Sequence, residues 1–302
     1  MQLVREDSDR IDAYLSLAQI YRRRGEIGRA IRVHQNLLLR TDIDEVHRGR
    51  ALLGLAQDFQ HGGFLQRAIA AYQEVLQRAP RDAGALRAWM RLAADARDFP
   101  SALEAQKRLA RIEPETARAD EARLLVEQAQ AAHAAGNADE ARKALKRATR
   151  RDPGNALAWM RLGELEAERG RNKAALAAWL RLAETDRRAA VPAYPRLETA
   201  YAALGKPREF ETVLRRFLAE RPGDTGARLA LVRHLAARGD AEAALDEVET
   251  AIEADPDLLP FQGVRARILL SEGRDAEAVK ALDELLRVLD RQGLLEHRER
   301  LD

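Results

Sequence analysis

The chain has 302 residues, of which 46% are apolar and 33% are charged, and its net charge at pH 7 is +2. It contains no cysteine, which excludes disulfides, thiol nucleophiles and thiolate metal sites within this sequence. No run of 18 consecutive apolar residues is present, so we predict no direct membrane insertion by this segment.

A pattern of small, large and helix-ending residues returns about every 34 residues. The spacings between Ala56, Gly63, Ala68, Tyr72 and Pro80 are 7, 5, 4 and 8 residues, and the same four spacings recur 142 residues further along the chain. No segment alternates with the period of a strand, so each unit is predicted to be a pair of antiparallel helices. The units begin near Ile11, Gly49, Ala83, Ala122, Ala156, Val191, Thr225 and Leu259.

Small residues mark where the two helices of a unit cross, because they let the backbones approach. In the first helix we expect Gly163 to be such a point, where a bulky side chain would push the hairpin apart. In the second helix, Phe210 breaks the series of small residues. The small residues of the second helices are Ala30, Ala68, Ala102, Ala141, Ala175, Ala244 and Ala278.

A glycine at the corner between the helices fits a positive φ, which costs glycine little. The third unit has Arg97 followed by Asp98 instead, so we expect a differently shaped corner there. Proline then ends several second helices because it cannot donate the helical hydrogen bond. The corner glycines are Gly25, Gly63, Gly136, Gly170, Gly205, Gly239 and Gly273, and the prolines are Pro80, Pro114, Pro153, Pro222 and Pro256.

A 34-residue unit with this order of positions resembles the tetratricopeptide repeat. The resemblance implies an all-α fold, a tetratricopeptide repeat solenoid in the form of a right-handed superhelix of about eight helix hairpins. We expect residues 11–292 to form the eight repeats in one continuous superhelix. Residues 1–10 are expected to be the tail of a truncated preceding repeat, and residues 293–302 a charged C-terminal segment.

The same resemblance nominates a binding surface. In tetratricopeptide arrays the first helix of each unit lines the concave face, and residues 2, 5, 9, 12 and 13 of the unit point toward the partner. Arginine and glutamine at these positions suit a protein segment that carries carboxylates or backbone carbonyls. In the first four units the candidates are Gln19, Arg22, Arg23, Arg50, Gln57, Gln60, His61, Arg87, Arg91, Gln130 and His133.

The corresponding lining of the later units is more mixed and more apolar. It consists of Met160, Glu164, Glu168, Thr199, Leu229 and Arg233, which indicates that two different surfaces share one chain. The competing interpretation of every member of both sets is a solvated polar side chain that binds nothing.

No recognisable catalytic set is present in the sequence, so we predict no enzyme activity, no cofactor and no metal site. His34 takes the second-helix position held by Tyr72 and Trp179 in other units, which favours a packed structural histidine over a ligand. Nucleic-acid binding would need basic residues concentrated on one face, whereas Arg142 to Arg151 is the only dense basic cluster. We therefore predict no nucleic-acid partner.

A narrower resemblance lies in Leu17 to Leu38, which reads LAQIYRRRGEIGRAIRVHQNLL. This stretch resembles the early repeats of the bacterial family of lipopolysaccharide assembly protein B. The resemblance continues through Asp58 to Tyr72 and, more weakly, through Thr199 to Leu214. The residues that carry the first stretch are Tyr21, Arg22, Arg24, Gly25, Glu26, Arg29, Ala30, Ile31, Arg32, His34, Gln35 and Leu37.

The family resemblance implies an adaptor at the cytoplasmic face of the bacterial inner membrane. It implies an N-terminal membrane anchor, a cytoplasmic repeat array and a C-terminal rubredoxin-like metal module, of which this chain contains the array alone. The adaptor would regulate lipopolysaccharide synthesis by presenting the lipid A pathway deacetylase to a membrane-bound ATP-dependent protease. The alternative is a general tetratricopeptide scaffold for another bacterial protein assembly, and homo-oligomerisation stays open in either case.

Overall fold

The computed structural model describes residues 2–293, with side chains from Arg10 onward. Within that range every regular element is helical, and the chain divides into two compact units after Asn155. The first unit holds four helix hairpins. These are α1 (Gln2–Arg23) with α2 (Ile27–Leu39), α3 (Glu45–His61) with α4 (Leu65–Arg78), α5 (Ala83–Asp95) with α6 (Phe99–Leu109), and α7 (Ala117–Ala134) with α8 (Ala138–Arg151).

The second unit holds four further hairpins, and the first helix of one of these is interrupted. The element order is α9 (Ala156–Glu168), α10 (Asn172–Thr185), α11 (Arg187–Ala190), the 3₁₀ helix η1 (Val191–Ala193), α12 (Tyr194–Ala203), α13 (Pro207–Glu220), α14 (Thr225–Ala237), α15 (Ala241–Ala254), α16 (Leu259–Ser271) and α17 (Asp275–Arg291). Over residues 2–293 the predicted eight hairpins are therefore confirmed. Their arrangement in one continuous superhelix stays a prediction.

Seven of the eight hairpins have a small residue in the second helix where the sequence predicts it. All seven of the predicted alanines, from Ala30 to Ala278, are fully buried. Phe210 replaces this alanine in α13 and is also buried, with its ring packed edge-on against His234 of α14. Gly163 of α9 lies directly against the indole of Trp179, as expected, because an added Cβ would sit 2.1 Å from the indole Nε1.

The corner between the two helices of a hairpin has one shape throughout the described chain. The seven corner glycines have φ values between 69° and 80°, in the left-handed region. At Gly63, for example, the backbone N–H donates to the carbonyl of Gln60, and the next N–H, of Phe64, donates to Phe59. These bonds use carbonyl groups that the end of the first helix leaves without a helical partner.

The prediction of a differently shaped corner in the third repeat is wrong. Arg97 adopts φ 58°, and the N–H groups of Arg97 and Asp98 donate to Ala94 and Ala93 in the same pattern as at Gly63. The helices on either side therefore dictate the corner, and an arginine accepts the left-handed conformation that glycine adopts elsewhere. Asp98 also accepts a hydrogen bond from the Ser101 N–H, which caps α6.

Several boundaries differ from those drawn from the sequence. Residues 2–10 are continuous with the first helix, since α1 runs from Gln2 to Arg23 without a glycine or proline to end it. The two longest intervals between units are accommodated by long first helices, α3 with 17 residues and α7 with 18. In the sixth repeat Pro192 and Pro195 accompany a break of the first helix into α11, η1 and α12. Residues 294–302, most of the predicted charged C-terminal segment, lie outside the described residues.

Replacing Gly163 by leucine should lower the melting temperature, because the new side chain would overlap Trp179. Overpacking of this kind costs about 1 to 3 kcal/mol. Gly263 of α16 is the matched control, since a Cβ there meets nothing within 4 Å, and Gly263→Ala should stabilise by about 0.5 to 1 kcal/mol. Thermal denaturation followed by circular dichroism measures both, and a Gly163→Leu protein as stable as the original would refute the predicted close contact.

Replacing Arg97 by glycine should raise the melting temperature, because glycine adopts a positive φ without the steric cost of a Cβ. That cost is about 1 kcal/mol for an L-residue. The reciprocal variant, Gly136→Arg, places a side chain at φ 79° and should destabilise by a similar amount. Opposite changes in the urea midpoint are expected, and a destabilised Arg97→Gly protein would contradict the shared corner geometry.

Candidate functional site

The eleven candidate residues all lie on the first helices of the four hairpins in the first unit. Gln19, Arg22 and Arg23 are on α1, and Arg50, Gln57, Gln60 and His61 are on α3. Arg87 and Arg91 are on α5, and Gln130 and His133 are on α7. The structure gives these side chains very different surroundings.

Arg22 belongs to a buried cluster with Asp58 and His34. The Arg22 Nη1 donates to Asp58 Oδ1 at 2.8 Å and to the carbonyl of Gly54 at 3.2 Å. The His34 Nδ1 donates to Asp58 Oδ2 at 2.6 Å, so both carboxylate oxygens are satisfied. The Asp58 side chain is fully buried and that of Arg22 is only 13% exposed. The cluster therefore joins α1, α2 and α3, and Arg22 is committed to the fold.

Close packing at Gly54 makes room for this cluster. A Cβ on Gly54 would lie 2.2 Å from the His34 Nε2, so no larger residue fits there without displacing the imidazole ring. The predicted structural role of His34 is consistent with its 1% exposure. Arg22, His34 and Asp58 are among the residues that carry the narrower family resemblance, and here they hold the first two repeats together.

Three more candidates are held by neighbouring side chains. Arg50 pairs with Asp12 of α1, and Arg87 pairs with Glu113. The Gln60 Oε1 accepts a hydrogen bond from the Tyr72 hydroxyl at 2.7 Å. Burial raises the pKa of Tyr72 to about 12, which keeps this hydroxyl protonated.

His61 is exposed but oriented by its own helix, since its Nδ1 donates to the carbonyl of Gln57 at 2.8 Å. His133 is also exposed. Gln19, Arg23, Arg91 and Gln130 are exposed as well, and Gln57 is half-buried. Neither Arg23 nor Arg91 forms an ion pair with any residue that the structure describes. We call the set Gln19, Arg23, Gln57, Arg91 and Gln130 the N-terminal face.

The second unit contains an open cleft beside the first helices of repeats five and six. A cleft of about 570 Å³ lies between α9 and the interrupted first helix of the sixth repeat, with Trp179 of α10 among its lining residues. Glu164, Glu168 and Thr199, which the sequence placed on the inward face, all line it. Repeat spacing does not predict the cleft itself, although Pro192 and Pro195 are unusual residues within a first helix.

Arginines outside these faces largely pair with acidic side chains of neighbouring helices. Arg151 and Arg147 both contact Glu121, and Arg228 contacts Glu247. Many of the 45 arginines therefore carry ion pairs that link one helix to the next rather than binding a partner. Further pairs between repeats are Arg196 with Glu164 and Arg274 with Glu242. Arg78 pairs with Glu45 within the second hairpin, and Arg291 at the end of α17 pairs with Asp257 just before α16.

Residues 2–293 contain no group of three or more His, Asp or Glu side chains placed to hold a metal ion. None of the helices in that range is both long enough and apolar enough to cross a bilayer.

Comparison with known proteins identifies the repeat. Family profiles described as tetratricopeptide repeat match residues 13–47, 126–195 and 201–268. Together with the eight helix hairpins over residues 2–293, these matches decide the fold class. The chain is built of tetratricopeptide repeats. Repeats of this kind generally mediate contacts between proteins, which points to a protein-binding role.

Two groups of proteins are similar over longer stretches. Lipopolysaccharide assembly protein B of Escherichia coli K12 is 25% identical over 288 residues, which are 95% of this chain and 74% of that protein. The protein of the same name from Escherichia coli O157:H7 matches equally. Among solved structures, MamA from Desulfovibrio magneticus RS-1 is 19% identical with a TM-score of 0.39, covering 60% of this chain and 97% of that one. YrrB, a tetratricopeptide repeat protein, is 19% identical with a TM-score of 0.36, covering 59% and 91%.

Replacing Asp58 by asparagine should destabilise the protein strongly, because it leaves a largely buried Arg22 without its counter-charge. Breaking a buried ion pair in this way costs about 3 kcal/mol or more. Asp42→Asn is the control, since Asp42 pairs with Arg40 at the exposed surface and its loss should leave the urea midpoint almost unchanged. Equal midpoints for the two variants would show that the cluster does not stabilise the first repeats.

Proposed function

We propose that this chain is a non-catalytic adaptor that binds a protein segment on its N-terminal face. The observation that carries the proposal is the row formed by Gln19, Gln57, Arg91 and Gln130. These residues take the same position, the ninth of the unit, in four consecutive first helices. Three of the four are exposed, and Gln57 is half-buried.

The chemistry of the row suits an extended polypeptide. A glutamine amide both donates and accepts hydrogen bonds, so it can pair with the N–H and C=O groups of a main chain. Arg23 and Arg91 add two guanidinium groups that bind carboxylates, and neither forms an ion pair with a described residue. The proposed ligand is therefore a segment with an accessible backbone and at least one acidic side chain. Arg22, Arg50 and Arg87 contribute little to it, because each is already paired.

We further propose that the adaptor regulates lipopolysaccharide synthesis at the cytoplasmic face of the bacterial inner membrane. The support is the similarity to lipopolysaccharide assembly protein B over 95% of this chain, together with the Leu17 to Leu38 motif. On this proposal the bound segment belongs to the lipid A pathway deacetylase or to the membrane-bound ATP-dependent protease that degrades it. The alternative, a scaffold for a different bacterial assembly, uses the same face with another partner.

The test is a pull-down from bacterial lysate and solubilised membranes, read by mass spectrometry. The double variant Arg23→Glu with Arg91→Glu should lose the deacetylase or the protease, because charge reversal repels an acidic segment. The matched control reverses two exposed cations of α8, Lys143→Glu with Arg150→Glu, and should retain the partner. If the original protein recovers an unrelated assembly, and the Arg23→Glu, Arg91→Glu variant loses it while the control keeps it, the alternative scaffold is favoured. Identical recovery by both variants would refute binding at the N-terminal face.

A further inference from the structure

The second helix of the fourth repeat, α8, presents a row of cations on one side. Its opposite side is buried and consists of small and apolar residues together with one threonine. The cations follow one another at spacings of three, one and three residues, which places them on a single face of a helix. Three of them are exposed and Lys146 is half-buried. We call this row the cationic stripe, and its members are Lys143, Lys146, Arg147 and Arg150.

Most of the charge of the stripe is not neutralised within the described chain. Lys143, Lys146 and Arg150 form no ion pair with any described residue. Arg147 contacts Glu121 of α7, but it shares that carboxylate with a second arginine of α8. The two carboxylates of α8 itself stand in its first turn, where they favour the positive end of the helix dipole. The stripe therefore has an excess of positive charge at the surface.

The fold of the hairpin does not require cations at these four positions. In the second repeat the equivalent residues include one carboxylate and no cation, and in the seventh repeat they include three carboxylates and no cation. All of them are exposed or half-buried, as in α8. They are Ala70, Gln73, Glu74 and Gln77 in the second repeat, and Asp246, Glu249, Thr250 and Glu253 in the seventh. The cations of the stripe are therefore available for an external anion.

The surroundings of the stripe favour a lipid surface over a nucleic acid or a protein. Neither α7 nor α8 contains Phe, Tyr or Trp, so no such ring on these helices can stack on a base. None of the exposed large apolar side chains of the described chain lies on α7 or α8, so these helices offer no apolar anchor for a protein. Two of the six lysines of the chain belong to the stripe. A lysine ammonium is a compact charge on a flexible stem, which suits mobile phosphate groups.

We propose that the cationic stripe contacts the phosphate groups of anionic phospholipids at a membrane surface. An anionic leaflet attracts nearby Lys and Arg side chains, and the attraction falls off within a Debye length. The contact is electrostatic and does not insert α8, because the stripe contains no apolar side chain. It uses a second helix, whereas the N-terminal face lies on first helices, so the two sites share no residue. The inference goes beyond the adaptor function and does not depend on it.

The test is sedimentation of the full chain with vesicles of pure phosphatidylglycerol or pure phosphatidylcholine, at millimolar lipid and low salt. The chain should sediment with phosphatidylglycerol alone. Added salt should release it, because the Debye length falls from about 10 Å at 0.1 M to about 3 Å at 1 M ionic strength. Lys143→Gln with Arg150→Gln should lower the partition coefficient more than about tenfold, since each cation near an anionic surface contributes a factor of about five.

The matched control is Lys280→Gln with Arg287→Gln on α17, the second helix of the last repeat. These two cations are also exposed, and neither forms an ion pair with a described residue. They are seven residues apart, as in the stripe, but Asp283 stands between them. Both double variants lower the net charge of the chain by the same amount, so only the position differs. The control should bind phosphatidylglycerol as the original protein does, and circular dichroism checks that both variants fold.

Three results would overturn the lipid site: no sedimentation with phosphatidylglycerol, equal sedimentation with phosphatidylcholine, or equal losses in the two double variants. Fluorescence anisotropy with a labelled short DNA duplex tests the nucleic-acid alternative. If the chain holds the duplex at a salt concentration that releases the vesicles, and Lys143→Gln with Arg150→Gln loses it, the stripe binds nucleic acid instead. The pull-down contains detergent and no bilayer, so its result and the vesicle result are independent.

Discussion

The close approach of two helices within each hairpin is the constraint on which the rest of the structure depends. Seven of the eight hairpins have an alanine at one crossing position, and all seven alanines are fully buried. Two second helices also carry, four residues after this alanine, a large ring for which a glycine of a first helix makes room. Trp179 lies against Gly163 of its own hairpin, and His34 lies against Gly54 of the next hairpin. Because helix-pair contacts fix the rotation of each first helix, they also determine which residues it presents to a partner.

Ion pairs within and between repeats stabilise the fold and, in doing so, reduce the charge left for binding. Arg50 and Arg87 look like binding residues in the sequence but pair with Asp12 and Glu113. Exposed pairs of this kind contribute little each to the free energy of unfolding. The Arg22 and Asp58 pair differs because the carboxylate is fully buried and also binds His34, so its geometry has to be satisfied for the first repeats to pack.

The two units use one backbone plan to present different chemistry. The ninth residue of the unit is Gln, Gln, Arg and Gln in repeats one to four, and Glu followed by Thr in repeats five and six. Of these six side chains none is buried, whereas the crossing alanines are. The prolines of the sixth repeat go further, since the interruption they accompany leaves an apolar cleft beside a tryptophan.

Sequence alone predicts the helical fold, the eight hairpins over residues 2–293, the buried alanines and the glycine corners. These features follow from local residue spacing and from backbone conformation. Arg97 shows the limit of that reasoning, because the flanking helices impose a positive φ even on an arginine, for which this conformation is unfavourable. The site was less predictable. Arg22 and Asp58 are 36 residues apart along the chain. Only the packing of α1 against α3 shows that Asp58 neutralises the charge of Arg22. This ion pair and the cleft beside Trp179 are seen only in the tertiary structure. Contacts and empty space between repeats depend on the directions of side chains, and the spacing of residues along the chain does not specify those directions.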